Sequence, residues 1–149
     1  MAQADGFELP GDLSYDRKDH LWVRVESAER VRVGLDMLTQ KSAGRMRHVA
    51  LKPLGVQVAR KRISGTLEAG KYVVPLRAPV GGTLVETNTQ FVEDPSLVNR
   101  DPYGDGWFVV LEPANMAEDL KELLHGEAEV QAWLEEELAD YRSKGLLKE

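Results

Sequence analysis

Between Met46 and Leu111 the chain is cut by Gly and Pro into short apolar runs: Met46–Leu51, Val56–Val58, Ile63–Leu67, Tyr72–Leu76, Thr83–Thr87 and Trp107–Leu111. None of these runs is long enough for a helix of ordinary length, and the Gly and Pro between them punctuate turns. Upstream, Leu21-Trp22-Val23-Arg24-Val25 and Arg30-Val31-Arg32-Val33 alternate or nearly alternate. The charged break from Glu26 to Glu29 suits a hairpin turn between them. Many short strands at close spacing predict a mainly β fold, a sandwich or flattened barrel of antiparallel sheets.

Helical spacing appears only around and after this block. Leu35, Leu38 and Ala43 suit a short internal helix that Gly44 ends. Asp94-Pro95 reads as a helix start, with Asp as cap and Pro in the first turn. Asn115 is expected to cap a helix from Met116 to His125, stopped by Gly126. A second C-terminal helix is expected from about Glu127 to Ser143. Its face of Val130, Trp133, Leu134, Leu138 and Tyr141 would pack on the β core, with Glu135, Glu136 and Glu137 crowding the other side. Residues 1–14 show little pattern and read as a loosely ordered lead-in. The expected organisation is one domain over 1–149, with a β core at about 13–112 and C-terminal helices at about 115–145. Ser64-Gly65-Thr66-Leu67 and Gly81-Gly82-Thr83-Leu84 form a faint repeat, which would fit two like strands flanking one hairpin.

Composition removes whole classes of function. With no cysteine, a disulfide framework, a thiolate zinc site and a catalytic Cys are excluded. A net charge of −6 argues against a nucleic-acid partner. No apolar run approaches the roughly 20 residues of a membrane span, and the N-terminus lacks the basic and apolar regions of a secretory signal. A cytoplasmic chain without membrane association is therefore expected. His20, His48 and His125 stand isolated in sequence, which gives no metal motif, and no phosphate-binding loop or nucleophile elbow is present. No nucleophile has an evident base, so the chain is not expected to be an enzyme in its own right. Charge is unevenly spread. Lys41 to Arg62 holds seven bases and no acid, whereas Glu112 to Glu149 holds eleven acids and four bases. The basic stretch is either a solvated face or a dock for an acidic partner.

One short segment stands apart. Glu68-Ala69-Gly70-Lys71 lies between two predicted strands, and Gly70 readily adopts the positive φ that a tight hairpin needs. Lys71 would then project from the tip. Around it the chain resembles the H protein of the glycine cleavage system, a member of the lipoyl-domain superfamily. The resemblance rests on Lys18-Asp19-His20-Leu21-Trp22-Val23-Arg24, on Val33-Gly34-Leu35 with the short helix to Gly44, and on Glu68–Lys71 with Ala78-Pro79-Val80-Gly81-Gly82 downstream. A fourth block, Asp94-Pro95-Ser96-Leu97-Val98-Asn99-Arg100-Asp101-Pro102-Tyr103-Gly104-Asp105-Gly106-Trp107, is similar to the family's D-N-P-x-L-V-N-x-D-P-Y-G-x-G-W almost residue for residue. The resemblance implies a lipoyl-domain-like sandwich with lipoate amide-linked to Lys71, Gly70 and Glu68 beside it, and a lipoate ligase as a partner. The Asp101–Trp107 turn would deliver Trp107 into the core.

The tip departs from the glycine-cleavage pattern, which usually reads E-S-V-K-A-x-S-D-x-Y-A-P. Here Tyr72 follows the lysine, the Ser and Asp are missing, and Pro75 is expected to interrupt the strand. Gly44 to Gly65 is basic where the family is usually acidic. On these grounds the chain looks more similar to the H-like lipoate-binding proteins of the heterodisulfide-reductase-like sulfur-oxidation pathway. That resemblance implies a carrier of sulfur-bound intermediates, with a heterodisulfide-reductase-like complex and dihydrolipoamide dehydrogenase as partners. The alternatives are an aminomethyl carrier serving the glycine cleavage enzymes and a binding module without lipoate. The basic stretch would steer the carrier onto an acidic surface through Arg60, Lys61 and Arg62.

Overall fold

A computed structural model of the chain describes residues 2–70 and 72–147. Strand β4 (Leu21–Ser27) organises it, because its first three side chains are buried on alternate faces. Leu21 and Val23 enter a core shared with β5 (Arg30–Leu35), whereas Trp22 enters a second cluster on the opposite face. A continuous apolar run is what a strand covered on both faces requires. Across the hairpin, Trp22 pairs with Gly34, and a Cβ on Gly34 would lie 2.3 Å from the indole. The ring therefore has room only because residue 34 lacks a side chain.

The strands form a six-stranded antiparallel sheet in the order β3 (Ser14–Tyr15), β4, β5, β11 (Val109–Pro113), β10 (Gly82–Thr87) and β7 (Gln57–Val58). A three-stranded sheet of β6 (Met46–Leu51), β8 (Ile63–Ala69) and β9 (Tyr72–Arg77) shares its core through Leu67, Leu76, Val80, Leu84 and Leu111. The mainly β sandwich expected from the sequence is what the chain forms. The two repeat segments fall in different sheets, and Leu67 and Leu84 enter the same core. Helix α1 (Met37–Ala43) starts at Asp36, whose carboxylate accepts the Thr39 N–H, and ends at Gly44 with φ 88°.

Three local expectations fail. Residues 2–9 form a hairpin, β1 (Ala2–Ala4) with β2 (Phe7–Leu9), joined by Asp5-Gly6 at φ 51° and 85°. A two-residue Asp-Gly turn is the local signal for such a hairpin. Long-range burial of Ala2, Leu9 and Leu13, together with the Gln131 side chain bonding both backbone groups of Gln3, holds it down. Helix α2 (Leu97–Arg100) starts at Ser96, not Asp94; the Asp94 carboxylate instead accepts from the Ser96 hydroxyl and pairs with Arg100. Helix α3 stops after Met116–Leu120 because Leu124 exchanges backbone hydrogen bonds of 2.9 Å with Tyr15 in both directions. Helix α4 (Glu127–Ser143) packs its apolar face on the β core as expected, against Tyr15 and Trp22 on the face away from the three-stranded sheet. Its apolar face closes the Trp22 cluster together with Tyr15, Leu38 and the N-terminal hairpin.

The fourth sequence block turns out to be a brace. The Trp22 indole N–H donates to the Pro102 carbonyl at 2.9 Å, and the Tyr103 hydroxyl accepts the Met37 N–H and donates to the Glu8 carbonyl. The buried aromatic at its end is Phe108 rather than Trp107. Phe108 donates its N–H to Val33 and packs 5.7 Å from Phe91, whereas Trp107 is only partly buried, against the Trp22 cluster and 4.4 Å from the Arg32 guanidinium. Phe108→Ala is expected to cost about 3–5 kcal/mol in chemical denaturation, as large core truncations do. Trp107→Ala, at a half-buried position, is expected to cost clearly less.

Candidate functional site

Strands β8 and β9 pair from Ile63↔Arg77 to Ala69↔Tyr72, so residues 70 and 71 connect them. Gly70 has φ 39°, and a Cβ placed there would meet nothing within 4 Å. Glycine is therefore favoured at the tip by backbone conformation, not by crowding. Lys71, the residue expected to bear the lipoyl group, lies outside the described residues; its two neighbours define the site. Tyr72 and Val73 are exposed by 49% and 64%, which puts an apolar pair in water beside the tip. Pro75 does not interrupt β9. The strand lies at the edge of its sheet, where a missing N–H costs no ladder bond.

A cleft of about 670 Å³ opens next to this tip. Gly70 and Tyr72, both chain neighbours of Lys71, line it, together with Lys41, Arg45 and Arg47. Phe7 and the C-terminal Leu146 and Leu147 supply apolar wall. Glu68 is not among the lining residues; it sits exposed on β8, opposite His48 and Val73. A side chain of α2 braces the basic rim. Asn99 of α2 accepts the Met46 N–H at 2.9 Å and donates to the Gly44 carbonyl at 2.8 Å and the Gln40 side chain at 2.9 Å. The backbone on either side of Arg45 is thereby fixed.

The basic stretch is not one surface. Lys61, at φ 73°, places its ammonium 2.6 Å from Asp16 and 2.9 Å from Asp19, and Arg60 lies 3.6 Å from Asp16. Burial alone would raise the Asp16 pKa, but the bonds from Lys61 and from the Asp19 and Lys18 backbone hold it below the ordinary carboxylate range. Arg60 and Lys61 thus tie the β3–β4 connection to the loop before β8. They are not free to steer a partner, contrary to the expectation from sequence. Among the described residues Lys41, Arg45, Arg47, Lys52 and Arg62 make no ion pair, and the first three face the cleft.

His20 is not isolated either. Its Nδ1 lies 2.6 Å from the Asp36 carboxylate and its Nε2 2.7 Å from Glu137 of α4, with the ring 4.7 Å from Trp133. Glu137 therefore belongs to this contact and not to the solvent face of α4. Asp36 is 16 residues from His20 and Glu137 is 117 away, so no local spacing reveals the group. Burial disfavours the charged ring, but Asp36 and then Glu137 outweigh it and lift the pKa to about 10. Among the described residues no cluster of three or more ligand-type side chains could hold a metal.

The Glycine cleavage H-protein family profile matches residues 13–137. The chain belongs to this family. "Glycine cleavage system H protein 3" of Aquifex aeolicus is 43% identical over 125 residues, covering 82% of this chain and 78% of that protein. The glycine cleavage system H protein of Salinibacter ruber is 40% identical over 121 residues, covering 81% and 95%. The crystal structure of a glycine cleavage system H protein from Mycobacterium marinum superimposes with a TM-score of 0.68 at 35% identity, covering 71% of this chain and 87% of that one. These names support glycine cleavage better than the sulfur-oxidation reading drawn from the hairpin tip. Glycine cleavage H proteins are carriers that hold lipoate covalently on a lysine. Among the described residues no helix is long and apolar enough to cross a membrane.

Two variants test the geometry. Gly70→Val should cost about 1–2 kcal/mol through its left-handed backbone and slow lipoylation measured by intact mass, with the fold retained by circular dichroism. For His20, the folded pKa of about 10 exceeds the ordinary value near 6.5. Its stabilisation is therefore complete below about pH 6.5 and lost as pH rises through about 10. Urea denaturation should show this alkaline loss. Glu137→Gln should cost roughly 1–3 kcal/mol at pH 7 and start the loss at lower pH.

Proposed function

We propose that this chain is a lipoyl carrier of the glycine cleavage type, with lipoate amide-linked to Lys71. The observation that carries this reading is a two-residue hairpin tip, open to water on both sides of Lys71, in a member of the H-protein family. A modifying ligase needs an exposed lysine, and the site fits the group: Gly70 has open space around it and the adjoining cleft is wide. When bound, lipoate supplies a disulfide that can be reduced and can carry a group between enzymes. The chain's own residues do the rest. Strands β8 and β9 hold the attachment point on a rigid base, Gly70 makes the turn, and tethering raises the effective concentration of the carried group at a partner's site. Without cysteine, no thiol of the chain competes in exchange.

The cargo in this reading is the aminomethyl group, and the partners are the glycine cleavage enzymes and a lipoate ligase in the cytoplasm. A second reading, carriage of sulfur-bound intermediates to a heterodisulfide-reductase-like complex, is favoured by one feature. The cleft beside the tip is lined by Lys41, Arg45 and Arg47, with no acid among the described lining residues.

The test begins with attachment. Incubation with lipoate, ATP and a lipoate ligase should add one lipoyl increment to the intact mass, and Lys71→Ala should add none. A modified Lys71→Ala protein would move the attachment site elsewhere. The lipoylated protein is then mixed with glycine decarboxylase and glycine. Aminomethyl transfer at a rate comparable to that of an established H protein supports the first reading, and no transfer supports the second.

A further inference from the structure

We propose that the outward face of the three-stranded sheet is a docking surface for the enzyme that loads the carrier, and that it fits a partner surface apolar at its centre and acidic at its rim. The inference rests on the carrier reading and deepens it by assigning the chemistry of the partner.

An antiparallel sheet with one face on the core ordinarily turns polar side chains to water on the other. In β6, β8 and β9 the inward positions are conventional: Leu67, Ala69 and Leu76 are buried in the core, and Val49, Leu51 and Val74 pack against it. The alternate positions face out in rows set by the strand register. Nearest the tip stand His48, Glu68 and Val73, and behind them Ala50, Thr66 and Pro75. In the last row Ile63 pairs with Arg77, and Lys52 follows β6 with its N–H bonded to the Ser64 carbonyl. All of these but Thr66 are exposed, so no element among the described residues covers them. The outward Trp22 of the larger sheet, by contrast, is buried under α4. The middle row carries no charge and no long side chain, and it lies between Val73 at 64% and Ile63 at 36% exposure. Such a floor lets a partner approach the strands closely, and its apolar area gains from being covered. None of these outward side chains lines the cleft.

The rim supplies direction. Lys52 and Arg77 flank Ile63, Arg62 precedes it, and Arg47 precedes His48; Glu68 is the one acid among these positions. Arg47, Lys52 and Arg62 make no ion pair among the described residues, and Arg77 donates to the Lys61 carbonyl at 3.5 Å. The whole chain has a net charge of −6, so this face is opposite in sign to the molecule that bears it. An acidic partner is repelled by the rest of the surface and attracted here, which selects one orientation during encounter. Because His48, Glu68 and Val73 border the hairpin tip, that orientation brings the tip to the partner.

The lipoylated protein is assayed as the carrier substrate of its own organism's glycine decarboxylase, with glycine saturating and the carrier varied. Each variant is first shown to be lipoylated by intact mass and folded by circular dichroism. Lys52→Glu/Arg77→Glu should raise the KM for the carrier about tenfold, the scale of two reversed surface contacts, with kcat retained. The excess should shrink as salt rises. Val73→Ser should raise KM about threefold at every salt concentration, through lost apolar cover. Lys121→Glu/Lys144→Glu makes an equal change of net charge on α3 and at the end of α4, and should leave KM near the wild-type value.

An unchanged KM in Lys52→Glu/Arg77→Glu, or an equal rise in Lys121→Glu/Lys144→Glu, would overturn the inference and leave the carrier reading intact. A concentration-dependent dimer in sedimentation that Lys52→Glu/Arg77→Glu abolishes would also overturn it, because the occupant would then be a second copy of the chain. Failure of the wild type to gain a lipoyl increment, or to accept the aminomethyl group, would overturn both this inference and the glycine-cleavage reading.

Discussion

Over Leu21–Val23, strand β4 has no side that faces water, and this double burial organises most of the remaining structure. Leu21 and Val23 require a second sheet above them, and Trp22 requires a separate cover below. The three-stranded sheet meets the first requirement, and the same sheet carries the hairpin at which lipoate attachment is proposed. Helix α4 and the N-terminal hairpin meet the second. Gly34 completes the arrangement by leaving the indole room against β5. Trp22 then reaches the Pro102 carbonyl, so the loop after α2 is held to the same strand.

Two polar devices translate that packing into a rigid carrier. On one face, His20 is held charged between Asp36 and Glu137 and fastens α4 to the start of α1. A buried imidazolium is tolerated only because two carboxylates compensate its lost hydration. On the other, the Asn99 amide satisfies backbone groups at the end of α1 and the start of β6, fixing the basic rim of the cleft. The β8–β9 hairpin needs only local turn chemistry, whereas the cleft beside it depends on contacts made from α2 and from residues 145–147.

The charge pattern follows from the same division. A stretch with seven bases looks uniform in sequence, yet folding sends its members to different tasks. Arg60 and Lys61 neutralise Asp16 and Asp19 inside the fold, and Lys41, Arg45 and Arg47 line the cleft beside the tip with no ion pair among the described residues. The acidic C-terminal segment divides likewise, because Glu137 turns inward to His20 while Glu135 and Glu136 remain exposed.

The strands β4 to β6 and β8 to β10, the short helix ending at Gly44 and the long helix Glu127–Ser143 were legible in the sequence. Their signals are local: alternation, helical spacing, glycine stops and tight-turn residues act within a few positions. The hairpin tip was legible for the same reason, and the resemblance of the neighbouring blocks gave it meaning. What lay beyond the sequence was decided by groups far apart along the chain. The N-terminal hairpin is held down by burial and by Gln131, and α3 is cut short by Tyr15. Phe108 rather than Trp107 is buried because its backbone bonds to Val33 in the neighbouring strand. The partners of His20 and the placement of Arg45 and Arg47 on the cleft also depend on which side chains tertiary packing brings together. Local chemistry determined the elements and the Gly70 turn; only long-range packing decided which charges were used up inside and which were left facing the cleft.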